Sequence, residues 1–419
     1  MRNTAAFRPV LEGLEQRWVP ATIKVIAGNL YVSNQVGTLT VSTTGTAGQV
    51  TVNDFFNATN HKVTVNGVGG LISVTGTNLA NTIVLDTTAK AFAGNVLISS
   101  GNGGDTVSLT GTVNGNFTVT GGNGDDLFQV AGTAKVGGTV NFTGGLGAND
   151  ITLAAAFQVG GDLTATSPDD VSLGANDLTV GGNLNLNAGS STAGINLTQA
   201  GGTLSVGKAF SVTGYGSAAD TIDLGGLVTV GGNTTFTLRD GTNAVDLTVA
   251  PGTTLGGNLS VYGGVGDDAV TLGTDLDVGG NATADLGGGV NTFDDGTGTS
   301  YGGNLSLTGG HDTNTFTIDG LVGGNLNVTV GNGTNTTTVT SPPGATLRYR
   351  GGNGDDTLNV TPGAAASFLI DATFGTGNAT LTLNAFVTLS GTVRGTGGFY
   401  AFNQNGATLT PNLFFINFP

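Results

Sequence analysis

The sequence predicts an all-β chain wound as a right-handed parallel β-helix, with about 23 residues and three short strands per coil. Three observations predict it. The first is an Asn or Asp that returns two residues before an apolar one, with a second apolar residue two further on. It stands at Asn81, Asp105, Asp126, Asn149, Asp169, Asp220, Asn243, Asp268, Asn291, Asn314, Asn335 and Asp356, with Ala193 as the one break. The apolar partners run from Ile83, Val107 and Phe128 to Leu358, with Ile195 beside the break and Thr337 as the polar exception. The second observation is an Asn placed directly after Gly on the same beat. It occurs at Asn95, Asn116, Asn183, Asn233, Asn258, Asn281, Asn304 and Asn325, while Thr139, Asp162 and Lys208 fill the slot in other copies. The third is strict period-two alternation inside short segments, which is the signature of half-buried strands.

One unit shows how these parts combine. Asn258-Leu259-Ser260-Val261 leads through a Gly-rich turn to Ala269-Val270-Thr271-Leu272, and then to Leu276-Asp277-Val278 before the next Gly-Gly-Asn. Strands this short enclose a slender tube, with Leu259, Val261, Val270, Leu272, Leu276 and Val278 pointing inward. A β-sandwich would instead expect antiparallel hairpins and no strict repeat. Coils stacked about 4.8 Å apart bring equivalent residues into columns, so the Asx series should form a ladder of turn-forming side chains.

Composition narrows the function. The chain has 419 residues, 76 of them Gly and 9 Pro, and no Gly-X-Y period, which excludes collagen and implies dense turns. Twelve bases against 28 acids leave a net charge of −16, so there is no Lys/Arg stripe to neutralise phosphates. Nucleic acid and anionic membrane surfaces are therefore excluded as partners. Divalent cations, neutral or cationic polymers such as cell-surface polysaccharide, and other surface proteins suit this charge. Cys is absent, which removes disulfide and thiolate chemistry. No window approaches the ~20 apolar residues of a membrane span.

Along the chain, residues 1–21 stand apart, holding Arg2, Arg8, Arg17, both Glu residues (Glu12, Glu15) and the single Trp18. The bland reading is a short helix stopped by Pro20. Leu11-Glu12, Leu14-Glu15, Arg17 and Pro20-Ala21 resemble the N-terminal LEPR segment of large extracellular planctomycete proteins, with Gln16 where that family usually has Pro. The resemblance implies export and an extracellular or cell-surface location. Residues 22–68 carry irregular short strands and read as an N-terminal cap or degenerate first coils, since an open solenoid end needs cover. Residues 69–360 hold the regular coils. From 361 to 419 the beat loosens, although Asn378 keeps the step, and the apolar run Leu413–Pro419 reads as a C-terminal cap after the final coils.

Candidate chemistry is sparse. Gly121–Phe128 fits the pattern G-G-x-G-x-D-x-U, as do 263–270 and 351–358. The pattern is similar to the calcium-binding nonapeptide of RTX proteins, where Asp carboxylates and turn carbonyls supply oxygen ligands. RTX arrays repeat every ~9 residues so that neighbouring turns share each ion, whereas this pattern returns once per coil. The candidate calcium ligands are Asp105, Asp125, Asp126, Asp150, Asp169 and Asp170, where carboxylates fall together without Asn between them. No cofactor is otherwise required. For a polysaccharide-active enzyme, the Asp pairs would have to supply the carboxylates. His61 and His311 have no evident catalytic partner, and Arg348 and Arg350 beside Tyr349 read as a local salt link. Thr-rich stretches such as Thr336–Thr338 raise an ice-binding reading, without Thr being regular on one flat face in the sequence.

The function expected from these features is a non-catalytic, exported structural or adhesive β-solenoid of the bacterial cell surface, similar in architecture to the β-helical stalks of surface adhesins. The alternatives are a calcium-binding RTX-like module and a polysaccharide-active β-helix enzyme.

Overall fold

The structure, a computed structural model, describes residues 21–56, 59–189, 194–384, 386–396 and 400–417. Most of the export-type segment, residues 1–20, lies outside them, as does Ala193. Every regular element among the described residues is a β-strand. The chain forms a parallel β-solenoid of about 15 turns, with coils spaced about 23 residues apart.

The first strands explain the irregular spacing before residue 69. β1 (Thr22–Ile26) runs antiparallel to β2 (Asn29–Thr43) across a tight turn in which Ala27 and Gly28 take positive φ, 49° and 81°. β3 (Val50–Phe56) is antiparallel both to β2 and to β4 (Thr59–Val65). The far edge of β2 pairs in parallel with β5 (Leu71–Phe92). β2 is thus the first rung of the stack, and β1 and β3 cover its open edge with reversed strands.

From β5 onward, each strand pairs in parallel with its counterpart one coil later. Leu259–Val265, Asp268–Leu272 and Asp277–Val278 lie in register on Ala282–Gly288, Asn291–Asp295 and Ser300–Tyr301. The tube therefore has three faces. The third strand, first separate at Phe157–Val159, ends with Leu321–Val322, and later coils keep two strands each.

Alternation sorts each strand into an inward and an outward set. Leu259, Val261, Val270, Leu272, Leu276 and Val278 are all at most 2% exposed, as their period-two parity requires. They belong to one continuous core running from Leu30 to Ala407. Stacked coils place aromatic rings against each other, as at Phe117–Phe128 (5.6 Å between centroids) and Phe210–Phe236 (5.3 Å). Each such side chain, fully buried, contributes about 1.5–3 kcal/mol. At the C-terminal end, Tyr400–Asn405 and Thr408–Ile416 continue the stack as its last two strands. Phe402, Leu409, Leu413 and Phe415 pack on the core only in part, because no further coil among the described residues lies over them.

Candidate functional site

The Asx series forms a buried ladder along one corner of the tube. Its members, from Asn81 to Asp356, are no more than 7% exposed. Most of these side chains bond the preceding coil, and the Asn amides also close their own turns. Oδ1 of Asp105 accepts from the backbone N–H of Asn81 (2.7 Å), Oδ1 of Asn243 from that of Asp220 (3.0 Å), and Oδ1 of Asn291 from that of Asp268 (3.1 Å). The Asn amides donate as well. Nδ2 of Asn314 bonds the carbonyls of Gly310 and Asp312, both at 3.1 Å, and Oδ1 of Asn335 at 2.7 Å. An Asn in this slot therefore satisfies one N–H and several C=O groups that would otherwise be stranded in the interior.

The register corrects three sequence assignments. Asp170 pairs with Asn196, and Asn196 with Thr221, so the slot between Asp169 and Asp220 belongs to Ile195 rather than Ala193. Oδ1 of Asp220 accepts from the N–H of Ile195 at 2.8 Å, and Leu197 is the inward apolar partner. The step from Asp170 to its partner Asn196 is 26 residues, which carries the slot two residues past Ala193. Likewise, Asp356 pairs with Ala379, so Asn378 sits one place before the slot.

A second, more exposed ladder runs along another corner with the opposite polarity. Here Oδ1 of each Asn accepts from the N–H of the following coil: Asn258 from Asn281, Asn281 from Asn304 and Asn304 from Asn325, each at 2.8 Å. This explains the Gly before each Asn. A Cβ on Gly280, Gly303 or Gly324 would lie 2.4 Å from the Oδ1 of Asn258, Asn281 or Asn304 respectively. Ala209, not Lys208, fills this slot in its coil, since its N–H bonds Oδ1 of Asn183 at 3.2 Å.

The calcium-like pattern has a packing explanation. A Cβ on Gly121 would lie 2.0 Å from Oδ2 of Asp126. Gly124 takes φ of +132°, and a Cβ there would lie 2.4 Å from the carbonyl oxygen of Gly103. The glycines are thus demanded by stacked turns, whether or not an ion is bound.

The six candidate ligands divide among three environments. Asp105, Asp126 and Asp169 are buried in the inner ladder, and the register places Asn149 between Asp126 and Asp169. Within the inner ladder, the expectation of carboxylates uninterrupted by Asn therefore holds only for Asp105 and Asp126, where the N–H of Asp105 donates to Oδ1 of Asp126 at 3.0 Å. Asp150 and Asp170 stack on each other in an outward column between Leu127 and Asn196. Asp125 is exposed in the turn and accepts from the N–H of Ala148 at 2.9 Å. Among the described residues, no group of three or more Asp, Glu, His or Cys side chains is arranged to hold a metal.

Burial governs the electrostatics. It pushes Asp126 up to about 6, helped by the charges of Asp105 and Asp125. Asp220 also rises to about 6, through burial alone. Asp356 reaches about 6 through burial and the charge of Asp355. Asp105 and Asp268 are raised for the same first reason.

One polar pair escaped the sequence reading. Tyr301 donates its hydroxyl to Oδ2 of Asp295 at 2.8 Å inside the core, while Oδ1 of Asp295 accepts from the N–H groups of Asp319 and Gly320. The signal was available, since alternation from Phe293 places Asp295 inward. Elsewhere, Arg350 pairs at 2.6 Å on the surface with Asp371 of the next coil rather than locally, and Arg348 bonds Oδ1 of Asn327. His61 on β4 and His311 in a turn are exposed.

On the flat face that follows the inner ladder, outward Thr residues align in register. Thr292, Thr315, Thr336, Thr357 and Thr380 form one column over five coils. The sequence reading had missed this regularity because the steps between coils vary from 21 to 23 residues. No protein-family model matches the chain, and neither a curated protein nor a solved structure is significantly similar to it.

Proposed function

We propose that the chain is a non-catalytic structural or adhesive rod exported to the bacterial cell surface. The observation that carries this reading is the use made of its polar side chains. Both Asn ladders bond backbone groups of neighbouring coils, so the residues that recur most regularly build length. About 15 coils at ~4.8 Å give a rod roughly 70 Å long. The LEPR-like segment supplies the address, and the acidic balance favours neutral or cationic surface polymers as partners. Expression with and without residues 1–21 in a planctomycete host, followed by cell fractionation, tests the export half. Surface location of the full chain and retention of the truncated one support it. Intracellular full-length protein refutes it. Binding to isolated cell-wall polysaccharide, with release of shorter glycans as a parallel readout, separates adhesion from the enzyme reading.

The Thr column favours a second reading, an ice-binding face. Thr317, Thr338 and Thr382 stand two residues beyond Thr315, Thr336 and Thr380 and add a second, partial row, which Asp294 and Asn359 interrupt. Thermal hysteresis abolished by Thr336→Lys would support it. Its absence from the folded chain would remove it.

A further inference from the structure

The Asn members of the inner ladder set a standard against which its Asp members can be measured. Nδ2 of Asn149, Asn243, Asn314 and Asn335 donates in each case to the carbonyls four and two residues back, at distances between 2.9 and 3.3 Å. The slot thus presents carbonyl oxygens to whatever atom replaces that amide. Asp356 takes the slot one coil after Asn335, and Asp220 one coil before Asn243. In both, Oδ1 is engaged: with the amide of Asn335 at 2.9 Å, and with the N–H of Ile195 at 2.8 Å. Oδ2 of each is buried without a hydrogen-bond partner. It leans over the glycine that opens the turn, where a Cβ on Gly351 or Gly214 would lie 2.1 or 1.8 Å away.

An ionised carboxylate can only accept, and a buried unpaired anionic oxygen is costly. A carboxylic acid carries the missing donor. Among the titratable neighbours only the Tyr349 phenol can donate, and it lowers Asp356 without offsetting burial, while Asp220 has no such donor. Asp356 faces Asp355 and the phenol of Tyr349, itself raised by burial and by Asp356. No charged group perturbs Asp220, which meets only the N–H of Ile195.

We propose that Asp220 and Asp356 are carried in the folded rod as neutral carboxylic acids whose hydroxyls replace the Asn amide as donors to the turn. The rod is therefore held more firmly in mildly acidic medium than in neutral medium. The sign follows from linkage. Both carboxyls titrate near 3.8 when unfolded and near 6 when folded. Their stabilising protons are fully bound in the folded chain at pH 4 and are lost as pH rises through 6. Each group then lowers the folding equilibrium constant roughly a hundredfold across that window.

The test is the thermal midpoint of the full chain in EDTA from pH 4 to pH 7.5, for the wild type, Asp220→Asn and Asp356→Asn. The wild-type midpoint should fall with rising pH. Each Asn variant should flatten that fall and melt higher than wild type at pH 7. A flat wild-type profile, or Asn variants that melt lower at pH 7, overturns the proposal. So does a calcium-dependent rise at pH 7 that either variant abolishes, because the slot would then hold a cation and not a proton. If a variant fails to fold, the infrared stretch of protonated carboxyls in the wild type decides. Its persistence to about pH 6 supports the proposal, and its complete loss by pH 5 refutes it.

Discussion

Asn335 donates its side-chain amide to Oδ1 of Asp356, 2.9 Å away and 21 residues further along the chain. The same amide bonds the carbonyls of Gly331 and Gly333, at 2.9 and 3.0 Å. One small side chain thus closes its own turn and fixes the next coil upon it. Repeated along the tube, this contact links a local turn preference to the register of the whole solenoid.

Replacing Asn291 by Leu removes a donor to the carbonyl of Gly287 and to Asn314, and an acceptor for the N–H of Asp268. The stranded groups should cost about 1–3 kcal/mol. Urea denaturation followed by circular dichroism measures it. A loss below a few tenths would show that the ladder is incidental to stability.

Gly303→Ala should destabilise the rod by about 1–3 kcal/mol, since the new methyl meets Oδ1 of Asn281 at 2.4 Å. Adding Asn281→Ala should recover part of that loss. Gly363→Ala, where a Cβ meets nothing within 4 Å, serves as the control and should be neutral or mildly stabilising. Equal losses at the two glycines would contradict the stacking explanation of the Gly-Asn pair.

Tyr301→Phe leaves Oδ2 of Asp295 buried without its donor and should cost about 1–3 kcal/mol. Burial already pushes Asp295 up to about 6. Loss of the phenol raises it further, so the variant's deficit should grow as pH rises from 5 to 8. A deficit independent of pH would mean that the hydroxyl does not stabilise the charged form.

The fold was legible because two markers share one period, and the inward set followed from alternation within each strand. Where turn lengths change, counting from the previous marker failed. Ile195 and Ala209 hold slots that spacing gave to Ala193 and Lys208, because only the pairing of neighbouring strands fixes register. The candidate site was less legible. A column of Asp and Asn reads alike in sequence, yet the Asn amide donates where an ionised Asp oxygen cannot. That difference depends on which carbonyls the turn presents, a property of the stacked backbone. The opposite polarity of the two ladders was invisible for the same reason.

The central claim is that the rod is held together by its own side chains, with its Asp residues acting as parts of turns. A far-ultraviolet circular dichroism melt of the full chain at pH 7, first in EDTA and then in millimolar calcium, tests it most directly. The account predicts a β spectrum and the same midpoint in both. A large rise with calcium, or folding only when calcium is present, would contradict it and make the acidic run around Asp105 and Asp126 a metal site.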